Sequence, residues 1–225
     1  MTSSAPAAET PTQAIQAVLF DYGQVLSQGP NKSAWERFLA ILQVSDEVFH
    51  PAYWEYRHSY DRGDLDGAAY WQSVAAMTGH PGLTPAQLDQ LYAADVDLWT
   101  DLNHPMLTWA QQLQDRGIRT GILSNIGDQM EHGIRARFDW IGRFDHCTWS
   151  HRLKLAKPEA AIYQHAAQGL GLPPGNILFI DDRAENIAAA RGVGMATIMY
   201  SHADHGAFKQ ALIALNQPDL LPLQA

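Results

Sequence analysis

The chain has 225 residues, 46% of them apolar, which is enough for one substantial core or two smaller ones and too apolar for a disordered chain. Its 15 basic and 24 acidic residues give a net charge of −9, which disfavours nucleic-acid backbones and anionic membrane surfaces as partners. No apolar run approaches the roughly 18 residues of a membrane span.

The start of the chain and its cysteine content predict a cytoplasmic protein. Residues 1–13 have neither the basic start nor the apolar stretch of a secretion signal, and we expect them to be a disordered tail. The single cysteine, Cys147, has no partner for an intrachain disulfide, which indicates a reducing compartment.

Short apolar runs alternate with helical stripes along most of the chain. The runs at residues 17–20, 122–123, 177–180 and 195–199 predict buried strands. Two stripes followed by glycine predict helices between them: Met106, Leu107, Ala110 and Leu113, and Ile162, Ala166 and Leu170. Strands separated by helices pair in parallel through right-handed crossovers. The sequence therefore predicts a doubly wound, Rossmann-like α/β sheet.

Residues 30–101 interrupt this alternation. They carry helical stripes without strand-like runs, and they contain half of the chain's 22 Trp, Tyr and Phe residues. We expect an inserted helical subdomain here, with the α/β core formed by residues 14–29 and 102–225. Most of the aromatic side chains should form the small unit's own core, whereas some of residues 53–58 are expected to face a substrate.

Polar residues follow three of the predicted strands. Asp21 ends the first, Ser124 and Asn125 the second, and Asp181 and Asp182 the third. Each has an ordinary alternative, as a turn residue or a helix N-cap. Together they should converge at the carboxyl edge of the sheet, where clustered carboxylates require a cation or a function to offset their repulsion.

Lys157 adds a positive charge to this set. It precedes Pro158, which is expected in the first turn of the next helix, so the ammonium should lie near that helix's positive end. The alternative is an exposed surface lysine. Carboxylates, a serine and a lysine are what phosphoryl transfer through a carboxylate nucleophile with Mg²⁺ requires.

Four segments resemble the motifs of the haloacid dehalogenase superfamily of hydrolases. They are FDYGQVL at residues 20–26, LSN at 123–125, KPEAAIY at 157–163 and ILFIDDRAENI at 177–187. Their order and spacing are specific, and the match covers the chain after residue 13. The resemblance extends to the branch of sugar-1-phosphate phosphatases and epoxide hydrolase N-terminal phosphatases. It implies that the inserted helices are a mobile cap that selects substrates.

The resemblance also implies roles for individual residues. Asp21 would be the nucleophile that becomes an aspartyl-phosphate, and Lys157 would balance its charge and that of the phosphate. Ser124 and Asn125, with Lys157, would bind the substrate phosphate.

The same resemblance implies a Mg²⁺ site. Its ligands would be Asp21, the backbone carbonyl of Gly23 and Asp182, with Asp181 behind them or bound through water and Asn186 orienting the site. A few carboxylates, waters and a substrate phosphate are ordinary Mg²⁺ ligands.

Position 23 departs from the family pattern. Phosphatases of the family commonly have a second aspartate there, which protonates the leaving group and then activates water, whereas this chain has Gly23. The phosphatases that carry D-x-G share the change, so it does not exclude activity. Tyr22, Gln24 or a cap residue such as His58 are candidates for the missing acid, and the sequence does not choose among them.

We therefore expect a Mg²⁺-dependent phosphatase acting on a small phosphorylated metabolite. A metal-free 2-haloacid dehalogenase is opposed by the adjacent carboxylates Asp181 and Asp182. A weakened ligand-binding member of the fold is favoured by Gly23 but opposed by Asp21, Lys157 and Asp182. A phosphomutase, which needs a returning acid, fits least. The sequence contains no pattern that indicates the substrate or the oligomeric state.

Overall fold

A computed structural model describes residues 14–222, so the tail expected at residues 1–13 lies outside the described part of the chain. Its centre is a five-stranded sheet in which every neighbouring pair is parallel. The strands run in the order β3-β2-β1-β4-β5. They are β1 (Ala17–Phe20), β2 (Arg119–Ser124), β3 (His146–Trp149), β4 (Ile177–Asp181) and β5 (Ala196–Met199).

Helices precede and follow the strands along the chain. Between β1 and β2 lie α1 (Lys32–Leu42), α2 (Asp46–Glu55), α3 (Arg57–Arg62), α4 (Gly67–Met77), α5 (Pro85–Leu98) and α6 (His104–Asp115). After β2 come α7 (Asp128–Arg137), α8 (Ser150–Leu153), α9 (Ala160–Leu170), α10 (Ala184–Gly192) and α11 (His205–Ala214). None of the helices in the described part is long and apolar enough to cross a bilayer.

Alternation along β1 divides the core into two layers. Val18 and Phe20 belong to one apolar cluster, which includes side chains of α6, α7 and α11. Leu19, which points to the opposite face, belongs to a second cluster with side chains of α9 and α10. Since helices cover both faces, the central strands can be apolar at every position, as β1 is. The predicted doubly wound sheet is confirmed.

The inserted helices α1 to α5 have a third apolar cluster. Six of its fourteen buried members are aromatic, among them Phe38, Phe49, Tyr53 and Trp71, all fully buried. Side-chain caps fix several helix starts: Asn31 accepts from the backbone of Ala34, and Thr84 forms a capping box with Gln87.

Two adjacent backbone segments join the inserted helices to the sheet. Ser27 and Leu102 form an antiparallel bridge, and the Asn103 amide donates to the Leu26 carbonyl over 2.9 Å. The Asn103 side chain also donates to the Val25 carbonyl, over 2.8 Å. The chain therefore leaves the sheet after β1 and returns to it at nearly the same place.

Strand β3 is absent from the sequence-based expectation. Its segment, HCTW, has no apolar run, because it is one of the two edge strands and only its last two residues are buried. The pairing of Ile122 with Cys147 and of Ser124 with Trp149 identifies it in the structure. The prediction also shortened β2, which begins at Arg119 rather than at residue 122.

Candidate active site

The polar residues expected at the carboxyl edge of the sheet, except the fully buried Asp181, line one cavity of about 350 Å³. Asp21 follows β1, Ser124 ends β2, and Asp182 follows β4. The cavity is lined on the sheet side by Asp21, Tyr22, Gly23, Gln24, Ser124, Asn125, Ile126, Met130, Lys157, Asp182, Arg183 and Asn186. The convergence that was inferred from three separate strand ends is present in the structure.

Lys157 lies at the centre of this group. Its Nζ atom is 2.8 Å from Asp21 Oδ1 and 2.7 Å from Asp181 Oδ2, and the residue is buried. Asn125 holds its backbone in place: the Asn125 side chain donates to the Lys157 carbonyl over 2.9 Å and accepts from its amide over 2.8 Å. Asn125 therefore positions the lysine through one N–H and its side-chain oxygen.

The expectation that Pro158 starts a helix is wrong. Helix α9 begins at Ala160, after an extended Glu159 whose carboxylate accepts from the Ala156 amide. The ammonium of Lys157 is held by carboxylates instead of lying at a helix's positive end.

The alternative readings as helix N-caps are also excluded. Helix α7 begins at Asp128, and α10 begins at Ala184. Ser124, Asn125 and Asp182 therefore lie before the cap positions Gly127 and Arg183.

Asp181 and Asp182 have different surroundings. Asp181 is fully buried, and besides Lys157 it accepts from the Arg183 amide over 2.8 Å and from Asn186 Nδ2 over 3.0 and 3.1 Å. Asp182 is half-buried and accepts from Gln24 Nε2 over 2.8 Å. Gln24 reaches it from a left-handed backbone conformation, with φ 58°. Asp181 thus has its oxygens engaged by protein donors, whereas Asp182 lines the cavity.

The charges of the cluster do not balance. Three carboxylates surround one ammonium, and burial together with repulsion from Asp181 outweighs the Lys157 charge, raising the pKa of Asp21 to about 8. Burial and Asp181 also raise the pKa of Asp182. For Lys157, attraction to Asp181 and Asp21 outweighs burial and raises its pKa. The cluster therefore holds an excess of negative charge that a cation would neutralise.

The donor set suits a hard divalent cation. Asp21, Asp181 and Asp182 each offer a carboxylate oxygen, and these atoms lie within 4.8 Å of one another. Oxygen ligands with negative charge are what Mg²⁺ binds. The structure places Gly23 on the same cavity.

The inserted helices close the opposite side of the cavity with Trp54, Arg57, His58, Asp61 and Trp99. Trp54 and His58 come from the segment expected to face a substrate, whereas Tyr56 of that segment packs in the insert's own core. Arg57 also belongs to that segment, whereas Asp61 and Trp99 were not singled out from the sequence. A signal existed for Asp61, since it has the i,i+4 spacing of a helical ion pair with Arg57.

Comparison with known proteins gives a family and several relatives. The model of a family described as haloacid dehalogenase-like hydrolase matches residues 15–194. Bifunctional epoxide hydrolase 2 of Sus scrofa is 34% identical over 107 residues, 46% of this chain and 19% of that protein. The chain thus spans about a fifth of that relative's length.

Other relatives have different activities in their names. Sesquiterpene phosphatase astK of Aspergillus oryzae (strain ATCC 42149 / RIB 40) is 24% identical, over 80% of this chain and 87% of that protein. (S)-2-haloacid dehalogenase 1 of Pseudomonas sp. (strain CBS-3) is 29% identical, over 38% of each chain.

Among solved structures, the HAD family enzyme bt-2542 of Bacteroides thetaiotaomicron matches this fold. One structure has a TM-score of 0.72 with 22% identity, covering 87% of this chain and 99% of that one. Another, in complex with magnesium and inorganic phosphate, has a TM-score of 0.66 with 22% identity, covering 83% and 94%.

Proposed function

Because the chain belongs to the haloacid dehalogenase-like hydrolases, we propose that it is a Mg²⁺-dependent phosphatase that hydrolyses a small phosphorylated metabolite through an aspartyl-phosphate on Asp21. The observation that carries this proposal is the cluster of Asp21, Asp181 and Asp182 around Lys157. An excess of carboxylates at the strand ends fits a site that binds a divalent cation and a phosphate together.

The chain's own residues supply the nucleophile and the anion site. The Asp21 carboxylate attacks phosphorus, and its Oδ1 is oriented by the Tyr22 amide at 2.7 Å and by Lys157. The Ser124 hydroxyl and the Lys157 ammonium bind phosphoryl oxygens. Asn125, predicted to bind phosphate as well, contributes by holding the Lys157 backbone.

Asp21, Asp182 and the Gly23 carbonyl are the residues proposed to hold Mg²⁺. The ion would neutralise the carboxylates and polarise the phosphoryl group when bound. The Asp181 carboxylate accepts hydrogen bonds from Lys157, Asn186 and the Arg183 amide. This supports a role in which Asp181 positions these groups rather than binding the metal directly. Asn186 in turn is held through its carbonyl by the Tyr163 hydroxyl at 3.1 Å.

We also propose that residues 30–101 act as a cap over the core formed by residues 14–29 and 102–225. Trp54, His58 and Trp99 line the cavity opposite the nucleophile and would contact the leaving group. Trp54 is 45% exposed, so its ring is available to a ligand. The net charge of −9 supports a small substrate over a nucleic acid, and the lone free Cys147 supports a cytoplasmic location.

A 2-haloacid dehalogenase is the second candidate, since (S)-2-haloacid dehalogenases are among the relatives. Retention of both Asp181 and Asp182 opposes it, because a metal-free site gains nothing from gathering these charges.

A paired assay separates the two activities. Purified protein is supplied with 4-nitrophenyl phosphate, a panel of phosphorylated metabolites and 2-chloropropionate, each with Mg²⁺ and with chelator. We expect phosphate release only in the presence of Mg²⁺. Halide release that is insensitive to chelator, without phosphate release, would overturn the phosphatase proposal.

A further inference from the structure

One proton transfer has no obvious donor among the residues that follow β1. Position 23 is glycine, and the neighbouring side chains are engaged elsewhere. The Tyr22 hydroxyl donates to the Trp99 carbonyl over 3.0 Å, and burial raises the pKa of Tyr22 far above its usual value. Gln24 has no ionisable proton and donates to Asp182. A donor for the leaving group must therefore come from another wall of the cavity.

The inserted helices present an acid on that wall. Asp61, in α3, lines the cavity with a side chain that is only 15% exposed. Both of its oxygens accept from Arg57 Nε, over 2.9 and 3.1 Å. Arg57 Nη1 is also shared with Asp95 of α5, at 2.9 and 3.1 Å, and with the Tyr53 hydroxyl of α2.

The excess of negative charge in this cluster explains why Asp61 can hold a proton. Asp61 and Asp95 face a single guanidinium, so one negative charge is left over when both carboxylates are ionised. The side chains of Arg57 and Asp95 are 9% and 3% exposed, so water screens this charge poorly. Burial, with repulsion from Asp95, outweighs the attraction of Arg57 and His58 and raises the pKa of Asp61 to about 6. Tyr53 of α2, Tyr60 of α3 and Tyr70 of α4 are further ionisable groups around the cluster.

The sheet-side loops hold Asp61 in position. The Ser150 hydroxyl donates to the Asp61 carbonyl and accepts from the Ile126 amide over 2.8 Å. The Tyr60 ring lies directly against Gly127, so closely that a β-carbon on that glycine would overlap it. Because Ile126 and Gly127 follow Ser124, α3 is fixed to the loop that carries part of the proposed phosphate site.

We propose that Asp61, supplied by the inserted helices, is the general acid and base of the reaction, in place of the residue missing at position 23. The inference rests on the proposed phosphatase activity. As the Asp21–phosphorus bond forms and the ester bond breaks, protonated Asp61 gives its proton to the leaving oxygen. The Asp61 carboxylate then takes a proton from the water that attacks phosphorus, the Asp21–phosphorus bond breaks, and phosphate leaves with Asp61 protonated again.

A leaving-group series tests this role. Parent, Asp61→Asn, Asp61→Glu and His58→Gln are assayed with Mg²⁺ on 4-nitrophenyl, phenyl and ethyl phosphate, and kcat/KM is compared. Because kcat/KM reports phosphoryl transfer to Asp21 and not the later hydrolysis in which Asp61 acts as base, only the acid role enters this quantity. A good leaving group needs no acid, so kcat/KM of Asp61→Asn should stay within a few-fold of the parent on 4-nitrophenyl phosphate and fall about 10²–10⁴-fold on ethyl phosphate. The kcat of this variant should fall even on 4-nitrophenyl phosphate, because the base of the second step is lost. Asp61→Glu should recover part of that loss.

The pH profile gives a second readout that a structural role would not move. The parent's kcat/KM for ethyl phosphate should fall above pH 6 relative to that for 4-nitrophenyl phosphate, because the acid must be protonated in the first step. Asp61→Asn should abolish this difference between the two substrates. The parent profile is informative even if the asparagine variant does not fold.

The outcomes separate this inference from the proposed function. A parent inactive on 4-nitrophenyl phosphate with Mg²⁺ would contradict the phosphatase itself. An active parent whose Asp61→Asn variant loses the same factor on all three esters, or nothing on any, would overturn the role of Asp61. Selective loss on ethyl phosphate in His58→Gln but not in Asp61→Asn would transfer the role to His58.

Discussion

Asp21 is the residue on which the proposed chemistry depends. Replacing it by asparagine removes the nucleophile and the ionic contact with Lys157, while the amide keeps the shape of the side chain. We expect Asp21→Asn to lose turnover of phosphate esters by at least about 10³-fold with far-UV circular dichroism unchanged. Steady-state assays with Mg²⁺ check this, and hydrolysis at the parental rate would exclude the assigned nucleophile.

The raised pKa of Asp21 links cation binding to pH. A proton on Asp21 must leave before the carboxylate binds Mg²⁺, and that pKa is about 8. We expect Mg²⁺ affinity to weaken as pH falls below 8, by up to about tenfold per unit for one displaced proton. Calorimetric titration at pH 6, 7 and 8 measures it. Equal affinities at the three values would show that Asp21 carries no competing proton, and Asp182→Asn should weaken binding at all of them.

Gly23 allows the missing acid to be restored. Its φ is −64°, open to any residue, and a β-carbon there would meet the Trp99 ring at 3.7 Å, an ordinary contact. In the Asp61→Asn background, Gly23→Asp should recover at least about tenfold of the kcat/KM lost on ethyl phosphate. Gly23→Asn in the same background is the control, because it has the same shape without an acid. Equal recovery in both would point to an effect other than proton transfer.

The sequence predicted the sheet-side residues because each follows a strand or belongs to a motif of the resemblance. Asp21, Ser124 and Asp182 lie on one edge as expected, since parallel strands bring their carboxyl ends together. Lys157 reaches the same cluster through its contacts with Asp21 and Asp181, without the helix end that was expected for it. Asp61 was missed for a physical reason. In sequence it is the partner in an ordinary helical ion pair, and the second carboxylate on the same guanidinium, Asp95, lies 38 residues from Arg57.

At the scale of elements, the packing of α3 against the loop after β2 can be tested by substituting Gly127. A β-carbon at this position would lie 2.1–2.4 Å from ring atoms of Tyr60. We expect Gly127→Ala to displace α3, to cost about 1–3 kcal/mol of stability and to lower activity on all esters. Urea unfolding measures the first effect. Gly142→Ala, where nothing lies within 4 Å, is the matched control and should change neither property.

The cavity wall formed by α2 and α3 should decide which leaving group is accepted. Trp54 and His58 line the cavity, whereas Tyr56 does not. We expect Trp54→Ala to reorder activities across a panel of phosphorylated metabolites by about tenfold or more, with little change on a small aryl phosphate. Tyr56→Phe should leave the order unchanged. A uniform loss for Trp54→Ala would indicate a disturbed insert rather than altered selection.

Element prediction succeeded where periodicity was strong and failed at an edge. Four elements are visible in the sequence: the apolar stripes of α6 and α9 and the apolar runs of β1 and β4. The two strands are buried at every position, so their apolar runs are uninterrupted. Strand β3 has two half-buried and two buried residues, which matches neither period. The start of α9 was misplaced because the Glu159 side chain, rather than Pro158, organises the turn before it.

At the scale of the whole molecule, Trp99 joins the insert to the sheet. Its ring packs on both the aromatic cluster of the insert and a core cluster of the sheet. We expect the parent to unfold in one calorimetric transition and Trp99→Ala to separate it into two. Trp140→Ala, at a half-buried ring that packs on the sheet's core cluster alone, should lower Tm without splitting the transition. A single transition in Trp99→Ala would show that other contacts suffice for cooperativity.

The bridge between Ser27 and Leu102 bears on how such a protein can diversify. Because the insert's two ends meet at one short backbone ladder, segments of other lengths can join the sheet there with little change in loop-closure entropy. Under the proposed function, recombination at this junction would exchange leaving-group selectivity while keeping the proposed phosphate chemistry. In this chain the same exchange would also remove Asp61, so a grafted insert must bring its own proton donor or be paired with an acid at position 23.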